Sequence, residues 1–275
     1  MTTSDTTTTE YVFDSPSVQG RQQLNHLQTL LDPITTGVLD DIGVWPGNRC
    51  LDLGSGGGSI ARWLADRVGP TGQVVAVDLD TEQIDVPSRV QVHGHDIRDG
   101  LPVDGPFDLI HARLVLMHLP NREGILRDLV DALAPGGWLV LGETPDRPQE
   151  VLAAPTAADA ELADRVLRTG LRVVSAAGVA LDWAYAVEQR MAAAGLVSIR
   201  GNEYSPMVTG SDAGALLMGT YVAQVKPLLL DAGLTEDELF RYHALMRDPR
   251  FRAWPFLRLV TTAGRKRAGD AEQTR

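Results

Sequence analysis

Four glycines lie between an apolar run and an amphipathic one in LDLGSGGGSIARWL, residues 51–64. A strand, a glycine-rich turn and a helix N-terminus together make a ligand cradle, because glycine reaches positive φ and lets the backbone touch the ligand. Gly56-Gly57-Gly58-Ser59-Ile60-Ala61 fits G-x-G-x-x-[GA], the dinucleotide pattern. The register points elsewhere. Asp52-x-Gly54-x-Gly56-x-Gly58 sets an acid just before the first glycine. A carboxylate there repels a pyrophosphate and attracts an ammonium or sulfonium group. Asp78 closes the next apolar run, where a carboxylate accepts from both hydroxyls of a ribose; such charge-assisted bonds contribute roughly 1.5–3 kcal/mol each. Asp96, in HGHDI, is placed to accept from an adenine amine, with Leu79 and Ile97 sandwiching the ring.

Composition narrows the partners. The chain has 275 residues, 44% of them hydrophobic, enough for one large α/β domain with a sizeable core. Its net charge of −11 argues against nucleic acid, which needs a basic footprint. Cys50 is the single cysteine and reads as a small core residue. No apolar stretch of about 18 residues exists for a membrane span. The opening MTTSDTTTTE lacks the basic start and apolar centre of a signal peptide. Residues 1–10 are expected to be a disordered leader and the protein cytoplasmic, a monomer or homodimer. No His/Cys/Asp/Glu cluster has metal-ligand spacing, so no metal is expected.

The elements that must position these residues follow from periodicity. Leu24, Leu27, Leu31, Ile34, Val38 and Ile42 recur at helical spacing, with a break expected at Pro33. Residues 11–45 are therefore read as N-terminal helices. Five strands, ending near Leu53, Asp78, Ile97, Leu114 and Glu143, alternate with helical patterns, which implies βαβ units and a parallel sheet. After Glu143 the rhythm changes. Helical insertions around 150–175 and 211–248, the second read as two helices, flank a strand near 196–208, and a last strand covers FLRLVTTAGRK. Residues 46–267 form one domain in which these insertions act as a cap over a ligand, and 268–275 are a tail. His118 and Glu143 fall at the carboxyl ends of adjacent strands, where open α/β sheets bind ligands. His118 is the candidate general base and Glu143 the carboxylate that orients its ring. His93, His95 and His111 read as structural histidines.

LDLGSGGGSIA, VVAVDLD, GHDI, FDLIHARLVLMHLP and LAPGGWLVLGE, in this order and spacing, resemble the class I S-adenosylmethionine-dependent methyltransferases. With YVFD and DPIT ahead and DPRF…TTAGRK behind, the wording is similar to actinobacterial enzymes that modify small molecules. The resemblance implies a Rossmann-like sheet of about seven strands, mostly parallel with an antiparallel last strand, helices on both faces and cap insertions. It also implies roles. Gly54, Ser55, Gly56 and Gly58 line the methionine and ribose, and Asp52 orients the methionine ammonium. Asp78 holds the ribose hydroxyls, and Asp96 with Ile97 reads the adenine. The backbone at Ala112 takes the methionine amine, while Arg113 reaches either the methionine carboxylate or the acceptor, or forms a structural pair. Arg21 supplies a further carboxylate contact. The activity implied is methyl transfer to a small molecule, with oxygen favoured over carbon or nitrogen. A repurposed non-methylating reaction such as cyclisation, or cofactor binding without catalysis, shares the same motifs.

Calorimetry should show S-adenosylmethionine and its demethylated product binding at low micromolar strength, about −8 kcal/mol, with NAD inert. Asp78→Ala should weaken that binding by about 1.5–3 kcal/mol; unchanged affinity would place the ribose elsewhere.

Overall fold

The computed structural model describes residues 18–255 and 257–269. The leader 1–10, the YVFD segment and the tail beyond Gly269 lie outside the described residues. The chain opens with α1 (Val18–Ile42), a single helix that carries Pro33 in its interior. The expected break at Pro33 is not there, because both halves of α1 are anchored. Leu31 packs with Leu217, Leu257 and Leu259 on one side of the proline, and Leu39 packs with Cys50, Ile60 and Leu64 on the other. Pro33 itself is exposed, so the carbonyl that loses its partner lies within reach of solvent.

The sheet unit follows as β1 (Arg49–Leu53), α2 (Ser59–Val68), β2 (Gln73–Asp78), β3 (Val90–Gly94), β4 (Phe107–Arg113), α3 (Arg122–Asp131) and β5 (Leu133–Glu143). Residues alternate strictly between the two faces of these strands. Leu51, Val75, Ile110 and Leu139 pack toward α3, while Cys50, Val74, Leu109 and Val140 pack toward α2 and α1. Both faces are therefore buried, as a parallel sheet requires.

Beyond Glu143 come β6 (Glu150–Ala153), α4 (Ala157–Ala176), α5 (Trp183–Ala193), β7 (Val197–Tyr204) and β8 (Val208–Thr209). The chain continues through α6 (Ala213–Gln224), α7 (Lys226–Asp231), α8 (Glu236–Leu245), β9 (Arg252–Trp254) and β10 (Leu259–Arg265). The main sheet has seven strands in the order β3-β2-β1-β4-β5-β10-β7. The pairs among β1 to β5 are parallel, and β10 runs antiparallel to both β5 and β7. This is the class I methyltransferase sheet that the motifs imply.

Helices α4, α6, α7 and α8 share a second apolar core, which includes Val166, Met218, Leu229 and Tyr242. A three-stranded sheet, β6-β9-β8, accompanies it. The sequence reading missed this sheet, because strands of two to four residues carry no measurable period. It also read two helices over 211–248, where three are found. Pro227 lacks the N–H to continue α6, so α7 starts anew there. A capping box between Thr235 and Glu238 then starts α8. Among the described residues no helix is long and apolar enough to cross a membrane.

Since Pro33 is exposed in an intact helix, Pro33→Ala should raise stability by about 1–3 kcal/mol in urea denaturation. An equal or lower stability would mean that the helix is bent to suit the proline.

Candidate functional site

The carboxyl ends of β1 to β4 and the inner face of α1 line a cavity of about 340 Å³ that opens to solvent. Its floor is the glycine loop. Gly54 has φ +69°, and a Cβ there would come within 2.2 Å of Val115 Cγ2, so only glycine fits beneath the turn that follows β4. Asp78 fixes the loop: its Oδ2 accepts the Gly56 N–H at 2.8 Å. Burial raises the Asp78 pKa, against the pull of that bond and of the N–H groups of Asp80 and Leu79. Leu79 and Ile97 line the same cavity, as do Ser55, Asp96 and Arg113.

Four of the expected cofactor residues do not line it. Asp52 is buried behind the loop, with Oδ1 2.7 Å from His111 Nδ1, and Oδ2 has no hydrogen-bond partner. It supports β1 against β4 instead of facing a ligand ammonium. Gly58 adopts φ +80° and caps α2, with Val86 and Ile84 against it. Ala112 is wholly buried between Leu53 and Leu141 in the sheet ladder, so the next residues, Arg113 and Leu114, form the wall. Arg21 is exposed, and α1 instead presents Leu24, Leu27 and Gln28.

The two guanidinium groups among the described residues that line the cavity are both paired. Arg98 grips both oxygens of Asp96, at 2.6–3.0 Å, and lowers its pKa. Asp96 thus lies at the rim as half of an ion pair rather than as an open acceptor. Arg113 donates to Asp32 and Thr35 of α1, both at 2.9 Å, which is the structural pairing allowed for it above. Among the described residues, no unpaired guanidinium faces the cavity for a pyrophosphate. The cavity also holds a third carboxylate, one that the sequence reading passed over: Asp80, whose buried Oδ2 has no partner. The second acid two residues after Asp78, where the apolar run of β2 ends, is the signal that could have found it.

A second, smaller cavity, of about 70 Å³, adjoins the first under α4 and α6. Leu114 and His118 line both. Leu114 adopts φ +57°, a left-handed conformation that costs a non-glycine residue roughly 1–2 kcal/mol. Its N–H donates to Gly142 O at 2.7 Å, which helps to hold it there. A short turn, Leu116–His118, follows. Burial and the nearby Arg122 charge push His118 down to about 4, so its imidazole is neutral at pH 7. Glu143 is fully buried and lines neither cavity. Its Oε1 accepts the Leu116 N–H at 3.1 Å, while Oε2 has no partner. Burial pushes this carboxyl up to about 8, against the opposing pull of the Leu116 and Met117 N–H groups and Arg122. Glu143 therefore holds the backbone of the turn that carries His118. Among the described residues no group of His, Cys, Asp and Glu could hold a metal ion.

The sequence matches a methyltransferase domain model over residues 28–199, more than half of the chain. The chain belongs to the methyltransferase domain family. Its sheet and glycine loop are of the class I kind, and the cofactor is S-adenosylmethionine. The cavity fits that cofactor: apolar walls for a purine, two carboxylates at the second strand end, and no unpaired cation for a dinucleotide. Methyltransferase str2 of Strobilurus tenacellus is 33% identical over 97 residues, 34% of this chain and 35% of that protein. The ubiquinone/menaquinone biosynthesis C-methyltransferase UbiE of Ectopseudomonas mendocina is 35% identical over 112 residues, 37% of this chain and 43% of that one. The chain spans about a third to half of the length of the curated relatives it matches. A solved phosphoethanolamine N-methyltransferase of Haemonchus contortus shares the domain's fold, with a TM-score of 0.56 at 16% identity. The match covers 94% of this chain and 60% of that one.

Because Glu143 is held protonated in the fold and ionises freely when unfolded, the native state binds the extra proton between about pH 4.5 and 8. Stability should fall as pH rises through that window. Glu143→Gln keeps the oxygen that accepts the Leu116 N–H and removes the titration. It should therefore match the wild type near pH 5 and exceed it at pH 9 by on the order of 3 kcal/mol, read from melting curves. Parallel pH profiles for the two proteins would refute the buried neutral carboxyl.

Proposed function

We propose that this chain transfers a methyl group from S-adenosylmethionine to a hydroxyl of a small-molecule acceptor, in natural-product biosynthesis. The observation that carries this reading is the place of His118, on the wall shared by a polar-floored cavity and an apolar one. S-adenosylmethionine supplies, when bound, an electrophilic methyl carbon that needs no further activation. The protein's work is then chiefly positioning, which contributes roughly 7–11 kcal/mol in well-oriented reactions.

Asp78 and Asp80 hold the ribose hydroxyls, Leu79 and Ile97 enclose the adenine, and the Gly54–Gly56 backbone faces the methionine portion. The acceptor lies in the second cavity, under α4 and α6, where the cap excludes water and strengthens local electrostatics. A neutral His118 ring accepts a hydrogen bond from the acceptor O–H and takes its proton as the oxygen is alkylated. The low basicity of this ring makes it a weaker base than a solvent-exposed histidine, so orientation of the hydroxyl is the larger part of its role. Glu143 positions His118 through the Leu116 N–H. A second reading, methylation at carbon, is favoured by the likeness to the C-methyltransferase UbiE.

Methyl-labelled S-adenosylmethionine incubated with a panel of uncharged hydroxyarenes tests this by mass spectrometry and NMR. The label should appear on oxygen; label on carbon supports the second reading, and no label with cofactor bound supports a non-methylating role. His118→Ala should lower kcat by about 10²–10⁴ with cofactor affinity and folding intact. The wild-type rate should fall as pH drops through about 4, where the ring gains its proton, and not near 6.5. Wild-type kcat in a well-folded His118→Ala protein would remove the base.

A further inference from the structure

The second cavity has a chemical bias. Of the fourteen residues around it, only His118, Thr144 and Tyr221 carry polar side-chain atoms, and none carries a formal charge at pH 7. The rest are aliphatic side chains from α4, α6 and the segments after β4, before α5 and before β10, with one methionine and one glycine. Burying an ionised group there without a partner costs several kcal/mol, so a charged acceptor is excluded. An apolar body gains by leaving water for this space.

Thr144 breaks the apolar lining in a particular way. It follows directly on Glu143 at the end of β5, and it is buried, with only 6% of its surface exposed. Its Oγ1 has no hydrogen-bond partner. A buried hydroxyl without a partner destabilises the fold, because it has given up its water for nothing. Threonine hydroxyls in protein interiors usually find a nearby carbonyl, as Thr36 does with Asp32 O in this chain. The orphaned hydroxyl of Thr144 instead belongs to a residue that faces the cavity from the β5 side, while His118 faces it from the β4 side.

The structure assigns Thr144 as a substrate-recognition residue: it hydrogen-bonds an uncharged oxygen, such as a carbonyl, on an apolar acceptor whose own hydroxyl meets His118. This deepens the methyl-transfer reading and rests on it for the identity of the cavity. The acceptor class is thus an uncharged, largely apolar ring system or chain bearing two oxygen functions, one methylated and one read by Thr144. Phosphorylated or quaternary amine acceptors do not suit the cavity, although the fold is shared with a phosphoethanolamine methyltransferase.

The test uses three sets of naphthols matched in shape and bearing an acetyl, an ethyl or a carboxylate group at varied ring positions. Binding to the full chain with S-adenosylhomocysteine present is read by calorimetry, and methyl transfer is read separately by mass spectrometry. The tightest acetyl-naphthol should bind threefold to tenfold more tightly than its ethyl counterpart, the yield of one neutral hydrogen bond. It should bind at least tenfold more tightly than its carboxylate counterpart. Thr144→Val should bring the acetyl-to-ethyl affinity ratio to about one, and Thr144→Ser should restore most of it.

The ligand-free Thr144→Val protein should melt no lower than the wild type, because the lost hydroxyl had no partner; a purely structural hydroxyl would lower the melting temperature. The assignment is overturned if no uncharged naphthol binds, if the carboxylates bind as well, if the ratio ignores Thr144, or if Thr144→Val melts lower. The expected ratios without label on any naphthol would sink methyl transfer and leave Thr144 as a recognition residue. Label without Thr144 dependence would do the reverse.

Discussion

The Glu143 carboxyl and the Leu116 N–H meet in a fully buried place, and the two cavities share the turn that this bond secures. The turn begins with Leu114 in a left-handed conformation and ends with His118. A strained residue keeps its conformation only when its surroundings over-determine it. Here they do so from two sides: Gly142 O takes the Leu114 N–H, and Glu143, one residue further along β5, takes the Leu116 N–H. The adjacent strands β4 and β5 thus clamp a segment that would otherwise relax. Val115, between the two clamped residues, packs so closely on Gly54 that the glycine loop and the turn must fit as one unit. The cofactor floor and the acceptor wall are therefore mechanically the same object.

The N-terminal helix joins this unit through charge. Arg113, the last residue of β4, reaches Asp32 and Thr35 on α1. The side chain is largely buried, so the pair is screened less than a surface ion pair. Its partners sit on either side of Pro33, which explains why the helix keeps its course through a residue that favours a break. Leu24, Leu27 and Gln28, a turn or two earlier, then close the cofactor cavity from above. The strap formed by α1 and the packing of Leu31 against Leu217 also tie that cavity to the cap.

Much of the main sheet was legible in the sequence, because buried strands of five or more residues carry both apolar runs and punctuation. The cap was legible only as helical surplus. Its short strands and the α6–α7 joint depend on a proline and on tertiary pairing, which no local period reports. At the site, spacing told which residues stand at strand ends but not which way each side chain turns. Asp52 and Asp96 stand where a ligand acid would stand, yet buried His111 takes the first and exposed Arg98 the second. Arg21 and Gln28 lie seven residues apart on α1, and the sequence alone could not set which part of the helix reaches the cavity. Thr144 gave no signal at all, since an orphaned hydroxyl is a property of surroundings and not of sequence.

The position of β10 carries a consequence for how the chain is made. It lies between β5 and β7 and pairs with both, yet it follows β7 only after the whole of α6, α7 and α8. During synthesis β5 leaves the ribosome with one flank open, and β7 emerges with no neighbour in the main sheet to join. Both remain bare edges, the kind that invite pairing with other chains, until the intervening helices have been built. The insertion that shapes the acceptor cavity therefore also sets the interval over which a nascent chain is exposed to misassembly. Lengthening or slowing that insertion would extend the interval without altering a single contact of the finished fold.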